Sequence, residues 1–239
     1  MNSKFFNQKI KSSYIRKHPL FKHLDEDTFT SISGKAGLIK LRKSNPFLLN
    51  DDAASKIYFL SSGTAKQVSF NSNGNDFVKD ILVDGEIFGD FSFTGQSTNG
   101  YVVGLRPNTY IFCFFTADFK KMLQQNHLLS LNYAESISMK LRMLEDRHAV
   151  WTSKDARQRL LYFLRGWSQC AGTRTSSSVI LENYFSLTDI AEFIGVSRQF
   201  LHIMLKELKE EELVFYSRKE ITVSNIFLSQ GMEEKRKAI

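Results

Sequence analysis

Cysteine is nearly absent. Cys113 and Cys170 are the two thiols among 239 residues. Two cysteines cannot build a disulfide scaffold, nor an iron–sulfur or zinc site that takes four cysteine ligands. Long apolar runs are missing as well. The longest, Tyr110 to Phe115, falls far short of the roughly 20 residues that a membrane-crossing helix needs. The opening MNSKFFNQKI has no apolar signal core, so an unexported, cytoplasmic protein with no membrane partner is expected. Internal repeats and low-complexity tracts are lacking, and from Ala117 to Trp151 the chain has neither proline nor glycine.

What is present describes a folded protein. Hydrophobic residues make up 42% and charged residues 24%, which excludes wholesale disorder. The length allows one large domain or two ordinary ones. A net charge of +7 suits a polyanionic partner, although a merely soluble basic protein would carry the same total. The charge is uneven. From Ser153 onward 13 Lys/Arg stand against 11 Asp/Glu, so +5 of the +7 lies before it, much of it in the arm Lys4, Lys9, Lys11, Arg16, Lys17 and Lys22. A polyanion bound by the C-terminal part must therefore meet a local positive face.

Three regions follow from the patterning. Residues 14–36 carry apolar positions at helical spacing (Leu20, Phe21, Leu24, Phe29, Ile32), which predicts short helices. Between Gly37 and Phe115, short runs rich in Val, Ile, Phe and Tyr alternate with Gly, Asn, Asp and Ser. Strands are expected at Gly37–Leu41, Ile57–Leu60, Lys66–Phe70, Phe77–Leu82, Val102–Leu105 and Tyr110–Phe115, with a hairpin turn at Asn71–Asn75, so this part reads as a β-sandwich or rolled barrel. Ala117 to Trp151 reads as one long helix. Its stripe Ala134, Ile137, Leu141, Leu144, His148 and Trp151 recurs in steps of three and four, the spacing of a coiled-coil seam. The stripe fits either packing on the helix's own β-domain or pairing with a second copy. A second apolar surface, Leu131, Met139, Met143 and Val150, allows one helix to serve both. His148 in this stripe is either a pH-sensitive contact or a tolerated polar residue.

Thr152-Ser153-Lys154-Asp155 ends the pattern and caps a further helix through Leu160, Leu161, Leu164 and Trp167. Gly172 to Ser178 reads as a polar loop. The stretch SLTDIAEFIGVSRQFLHIMLKEL at 186–208 then holds the most specific signal. Ser186 and Asp189 form a capping-box variant for a helix Thr188 to Ile194. Gly195 ends it where left-handed backbone is cheap for glycine. Ser197 can cap a second helix, which leaves Arg198 and Gln199 in an exposed first turn. Ile190, Ala191, Ile194, Leu201, Met204, Leu205 and Leu208 supply a shared apolar seal. This is the pattern of a helix-turn-helix, whose second helix enters the DNA major groove, and two brief strands, Val214–Tyr216 and Glu220–Val223, follow as a wing. Arg198 matches the O6 and N7 acceptors of guanine and Gln199 matches adenine. Ser197 and His202 can reach phosphates or flanking bases, and Ser186 and Thr188 complete the candidate DNA contacts.

The chain resembles the cyclic-AMP receptor protein/FNR superfamily of bacterial transcription regulators, on the stretches Ile57–Lys66 (IYFLSSGTAK), Gly85–Asp90 (GEIFGD) and Gly195–Gln199 (GVSRQ). The resemblance spans essentially the whole chain. It implies an α+β protein with an N-terminal β-roll, a cyclic-nucleotide-binding-like jelly roll, at 1–116, a long dimerisation helix at 117–152 and a winged helix-turn-helix at 153–239. It further implies a homodimer on a pseudo-palindromic, double-stranded operator, in contact with RNA polymerase. In the family, the position of Arg198 contacts guanine, the next residue is usually glutamate where this chain has Gln199, and many members have a second arginine where this chain has Ile203.

The same resemblance places a ligand pocket at Gly85, Glu86, Gly89, Asp90, Gly100 and Tyr101. Cyclic-nucleotide-binding members clamp the cyclic phosphate with an Arg-Ser or Arg-Thr pair. Here Gly100-Tyr101 stands near those positions, the nearest arginine is Arg106, and Asp90 replaces the glutamate at the ribose. An unpartnered buried phosphate is costly, so cyclic AMP is not the expected ligand and the effector is left unidentified. No cofactor is expected. The cysteine group of cluster-binding members is absent, and His18, His23, His127, His148 and His202 show no ligand spacing. Cys113 is expected to be a buried, inert thiol and Cys170 the more accessible one. An alternative is a nucleotide-binding-like regulatory module acting through protein partners rather than DNA. Catalysis is not expected, because Glu86, Asp90 and His127 come without a nucleophile elbow, phosphate loop or metal-ligand spacing.

Overall fold

The computed structural model describes residues 8–49, 55–91, 93 and 99–227; Lys4 of the basic arm lies outside the described residues. The chain divides into two compact units, Met1–Leu144 and Glu145–Ile239. In the first, helices α1 (Gln8–Lys17) and α2 (Glu26–Lys35) precede strands β1 (Gly37–Lys40), β2 (Phe47–Leu48), β3 (Lys56–Ser62), β4 (Ala65–Phe70), β5 (Asp76–Leu82), β6 (Ile87–Gly89), β7 (Tyr101–Gly104) and β8 (Tyr110–Phe115). The described strands form two antiparallel sheets, ordered β1-β8-β3-β6 and β2-β7-β4-β5. Helices α3 (Thr116–Gln125) and α4 (His127–Ser153) follow.

The first sheet is covered on both faces, and the alternation of β3 explains how. Ile57 and Phe59 point to one side and join Phe112 and Phe114 of β8 with Phe21, Phe119, Leu129 and Tyr133 from the flanking segments. Tyr58 and Leu60 point to the other side and meet Ala65, Leu82 and Val102 of the second sheet. A strand buried twice must be apolar at nearly every position, and IYFL is. Phe59 and Phe112 are directly paired across the strands, and their rings stack with centroids 5.0 Å apart. Truncating either ring would cost about 3–5 kcal/mol. The β4–β5 turn closes as its sequence predicts. Asn71 Oδ1 accepts from Asn73 N and Asn75 N at 2.9 and 3.0 Å, while Gly74 takes φ +78°.

Four segments differ from their sequence-based expectation. β2 and β6 are strands too short for alternation to register. The helix expected from Ala117 to Trp151 is broken at Asn126, whose backbone is extended. Asn126 N donates to Met122 O at 3.0 Å, ending α3, and its side chain accepts from Leu129 N at 2.8 Å, starting α4. Asparagine competes with helical hydrogen bonds in this way, and no proline or glycine was needed. The loop expected at Gly172–Ser178 contains strand β9 (Thr173–Arg174), paired with β10 (Ser178–Glu182). Hydroxyl bonds between Thr175 and Ser178 close the turn between them.

The second unit contains α5 (Ala156–Ala171), α6 (Leu187–Ile194), α7 (Arg198–Glu210), β11 (Val214–Tyr216) and β12 (Glu220–Ser224), with sheet order β11-β12-β10-β9. Asp155 and Gln158 form the capping box that starts α5. Phe163, Trp167 and Phe185 interlock in its core, the last two edge-on at 4.6 Å.

Two expectations for stability follow. His18 is buried against Phe59 and Phe112. Its Nδ1 accepts from Leu20 N at 3.3 Å, and Nε2 finds no partner of good geometry among the described residues. Burial draws its pKa down to about 3, against a weak opposing pull from the Gly85 carbonyl. Because the unfolded chain binds the proton more readily, the contribution of neutral His18 is complete above about pH 6.5. It is lost as pH falls toward the folded value, at up to about 1.4 kcal/mol per unit. Between pH 7 and pH 5, denaturant unfolding followed by circular dichroism should show wild type losing about 2 kcal/mol more than His18→Gln; equal losses would exclude this role for His18. Gly195 has φ +71° with open space where a Cβ would lie, so its cost on substitution is conformational alone. Gly195→Ala should lower stability by about 1–2 kcal/mol and Gly195→Asn by clearly less. Tryptophan fluorescence checks this, since Trp151 and Trp167 both belong to the second unit.

Candidate nucleic-acid interface

The helix pair begins at Ser186. Its Oγ accepts from Asp189 N and its own N–H donates to the Asp189 carboxylate, both at 3.0 Å. Thr188 is exposed in the first turn of α6. At the other end Val196 N donates to Ala191 O at 2.9 Å and Gly195 N to Glu192 O at 3.2 Å, so left-handed Gly195 closes the helix C-terminus. Ser197 Oγ then accepts from Phe200 N at 3.1 Å and starts α7. Ile190, Ala191 and Ile194 of α6 are buried, as are Leu201, Met204, Leu205 and Leu208 of α7.

That seal decides which residues of α7 face outward. Ser197, Arg198, Gln199 and His202 are all exposed, so the sequence-predicted candidates on α7 share one accessible surface. A helix N-terminus carries partial positive charge and unpaired N–H groups, and Arg198 adds a planar five-donor cation there. Arg157 of α5 braces the far end of α7 through Glu211 at 2.5 Å and Glu207 at 3.9 Å; this pairing holds the exposed Glu211 carboxyl below its ordinary range.

Arg218 and Lys219 are exposed at the β11–β12 turn and were not among the predicted contacts. Ser217 Oγ accepts from Lys219 N and Glu220 N at 3.3 and 3.0 Å, and Asn183 Nδ2 donates to Ser217 O at 2.7 Å. The signal was two adjacent cations between two strands.

Along α4, Ala134, Leu141, Leu144 and His148 are exposed. Ile137 is different: it is partly buried against the core of its own unit. Trp151 also packs within its own chain, edge-on to Tyr162 and Phe193 at 5.9 and 5.8 Å. Leu131, Met139 and Met143 of the second apolar surface are exposed too.

The predicted ligand residues come from both sheets of the β-rich unit. Gly85, Glu86, Gly89 and Asp90 surround β6 in one sheet, whereas Tyr101 lies in β7 of the other, with Gly100 just before it. A Cβ on Gly89 would sit 2.6 Å from the Tyr58 ring and 2.8 Å from Lys56 O, so packing within the sheet accounts for this glycine. At Gly100 a Cβ would meet Val68 O. The Tyr101 hydroxyl donates to Asp76 at 2.6 Å. Asp90 is buried and accepts from Ser55 Oγ at 2.5 Å. Glu86 accepts from Val83 N at 2.8 Å and lies 3.6 Å from Lys140 of α4, which is also 3.5 Å from Asp80. The three side chains are only 13–15% exposed. Burial pushes the Glu86 carboxyl above its ordinary range; Lys140 opposes that shift and Asp80 adds to it. Cys113 is buried and Cys170 exposed, as expected.

Residues 38–126 match the family described as Cyclic nucleotide-binding domain. Over 224 residues the chain is 24% identical to the transcriptional regulator flp of Lacticaseibacillus casei, which covers 90% of this chain and 94% of that protein. It is 25% identical over 192 residues to a global nitrogen regulator of Synechocystis sp., covering 79% and 85%. In fold it is similar to a solved CooA variant from Carboxydothermus hydrogenoformans, with TM-score 0.66 at 18% identity over 81% of this chain and 85% of the other. The β-rich unit, the long α4 and the α6–α7 pair thus follow one another in the order the motifs imply, and over most of its length the chain is similar to transcription regulators.

Proposed function

We propose that the chain regulates transcription as a homodimer that reads a pseudo-palindromic, double-stranded operator with α7, rather than by catalysis. Its curated relatives are transcription regulators. The observation that carries the reading is the exposed Arg198–Gln199 pair at the start of a helix whose opposite face is sealed on α6. Arg198 forms the guanine contact and Gln199 the adenine contact. Ser186, Thr188, Ser197 and His202 hold phosphates or flanking bases, and Arg218 and Lys219 at the wing neutralise backbone charge. Such contacts concentrate positive charge locally in a half of the chain whose overall charge is nearly balanced. The domain limits inferred from sequence, 1–116, 117–152 and 153–239, are retained as the functional division, and the resemblance to the cyclic-AMP receptor protein/FNR superfamily implies contact with RNA polymerase. No helix among the described residues is long and apolar enough to cross a membrane.

Ala134, Leu141, Leu144 and His148 form the centre of the dimer seam, with Ile137 and Trp151 at its edge because both also pack on their own chain. Two-fold pairing through α4 would set two copies of α7 on successive turns of one duplex face. The effector is not cyclic AMP: Glu86 and Asp90 are engaged by Lys140 and Ser55, and a phosphate there would lack the clamping arginine.

Arg198→Ala should weaken binding to a selected operator by about 1–3 kcal/mol and flatten base preference at one position. Fluorescence anisotropy on cognate and scrambled duplexes measures both, and an unchanged cognate-to-scrambled ratio would remove the base-reading role. Combined Leu141→Glu and Leu144→Glu should convert the dimer to a monomer in sedimentation velocity and abolish operator binding; a charged variant that stays dimeric would displace the seam from this face.

A further inference from the structure

The outward face of α7 is not wholly polar. Ile203 is 51% exposed, four residues after Gln199 and three before Lys206. It takes no part in the seal on α6, which Leu201, Met204, Leu205 and Leu208 complete. At 3.6 residues per turn, Ile203 stands about 40° round the helix from Gln199 and about 6 Å farther along its axis. It is thus near the middle of the accessible face. Phe200 is also exposed, at 46%, but lies about 100° round from Gln199 on the flank of the helix. Isoleucine is a poor choice for this position on other grounds. Its β-branch is mildly unfavourable in helices, and a water-facing site rewards a long polar side chain.

We propose that Ile203 reads thymine through its 5-methyl group. The inference rests on α7 entering the major groove as described above, and it names part of the sequence that α7 selects. In that groove the thymine methyl is the one apolar feature by which a base pair announces itself, and an apolar side chain is its physical complement. The same side chain offers nothing to the O6 and N7 acceptors of guanine and leaves them desolvated, so exchange of thymine for a polar edge is disfavoured twice. The 6 Å separation from Gln199 corresponds to roughly two base-pair steps of about 3.4 Å. The methyl should therefore lie about two positions from the base that Gln199 contacts.

The test replaces each thymine of a duplex selected by the wild-type protein, one at a time, with deoxyuridine, which lacks only the methyl. At one position per half-site wild-type affinity should fall about fourfold, the effect of removing one buried methyl. Ile203→Ala should bind the thymine duplex about as weakly as wild type binds the deoxyuridine duplex, and should not respond to the exchange. Ile203→Val should retain most of the response. Wild-type affinity indifferent to deoxyuridine at every position, or a response that persists in Ile203→Ala, overturns the thymine contact while leaving the Arg198 reading in place. Failure to select any duplex would overturn the DNA reading and this inference with it.

Discussion

Phe59 and Phe112 stack across β3 and β8 on a sheet covered by helices on one side and by a second sheet on the other. Coverage of one face or of two is the constraint from which the remaining features follow. Strands buried twice surrender every side chain to packing and keep none for recognition. An element buried once presents its other face to a partner. In α7 the seal on α6 leaves Arg198, Gln199, His202 and Ile203 outward. In α4 the residues that dock on the β-rich unit, Leu129, Tyr133 and in part Ile137, leave Leu141 and Leu144 exposed.

Polar groups inside the β-rich unit obey the complementary rule that buried charge must be partnered. Glu86, Asp80 and Lys140 meet in a largely enclosed group, and Asp90 is held by Ser55. Glu86 and Asp90, both expected at a ligand pocket, thus meet partners within this chain. The Lys140 bond has a further consequence, because it ties α4 to the segment before β6. Any effector acting there must compete with an ion pair in poorly solvated surroundings.

Much of the fold was legible in the sequence because local signals and burial agree. Period-two and doubly apolar runs located six strands, Asn-Gly located the β4–β5 hairpin, and Ser186, Gly195 and Ser197 located the ends of α6 and α7. What escaped notice was decided by single side chains or by pairing at a distance. Asn126 breaks a helix that composition alone would continue. β2, β6 and β9 are two or three residues long and exist because a neighbouring strand supplies their hydrogen bonds. On the interface, Arg218 and Lys219 gained meaning only when Asn183 and Ser217 fixed the turn that carries them.

The sequence by itself determined the helix-turn-helix unit and the identity of its outward residues, because caps, a left-handed glycine and apolar spacing all act within a few residues of one another. Tertiary structure alone decided which residues of α4 are exposed, and which partners Glu86 and Asp90 meet. Those outcomes depend on residues far apart in the chain, Lys140 with Glu86 and Ser55 with Asp90. No periodicity encodes such pairings, since their energy arises only when folding removes both partners from water.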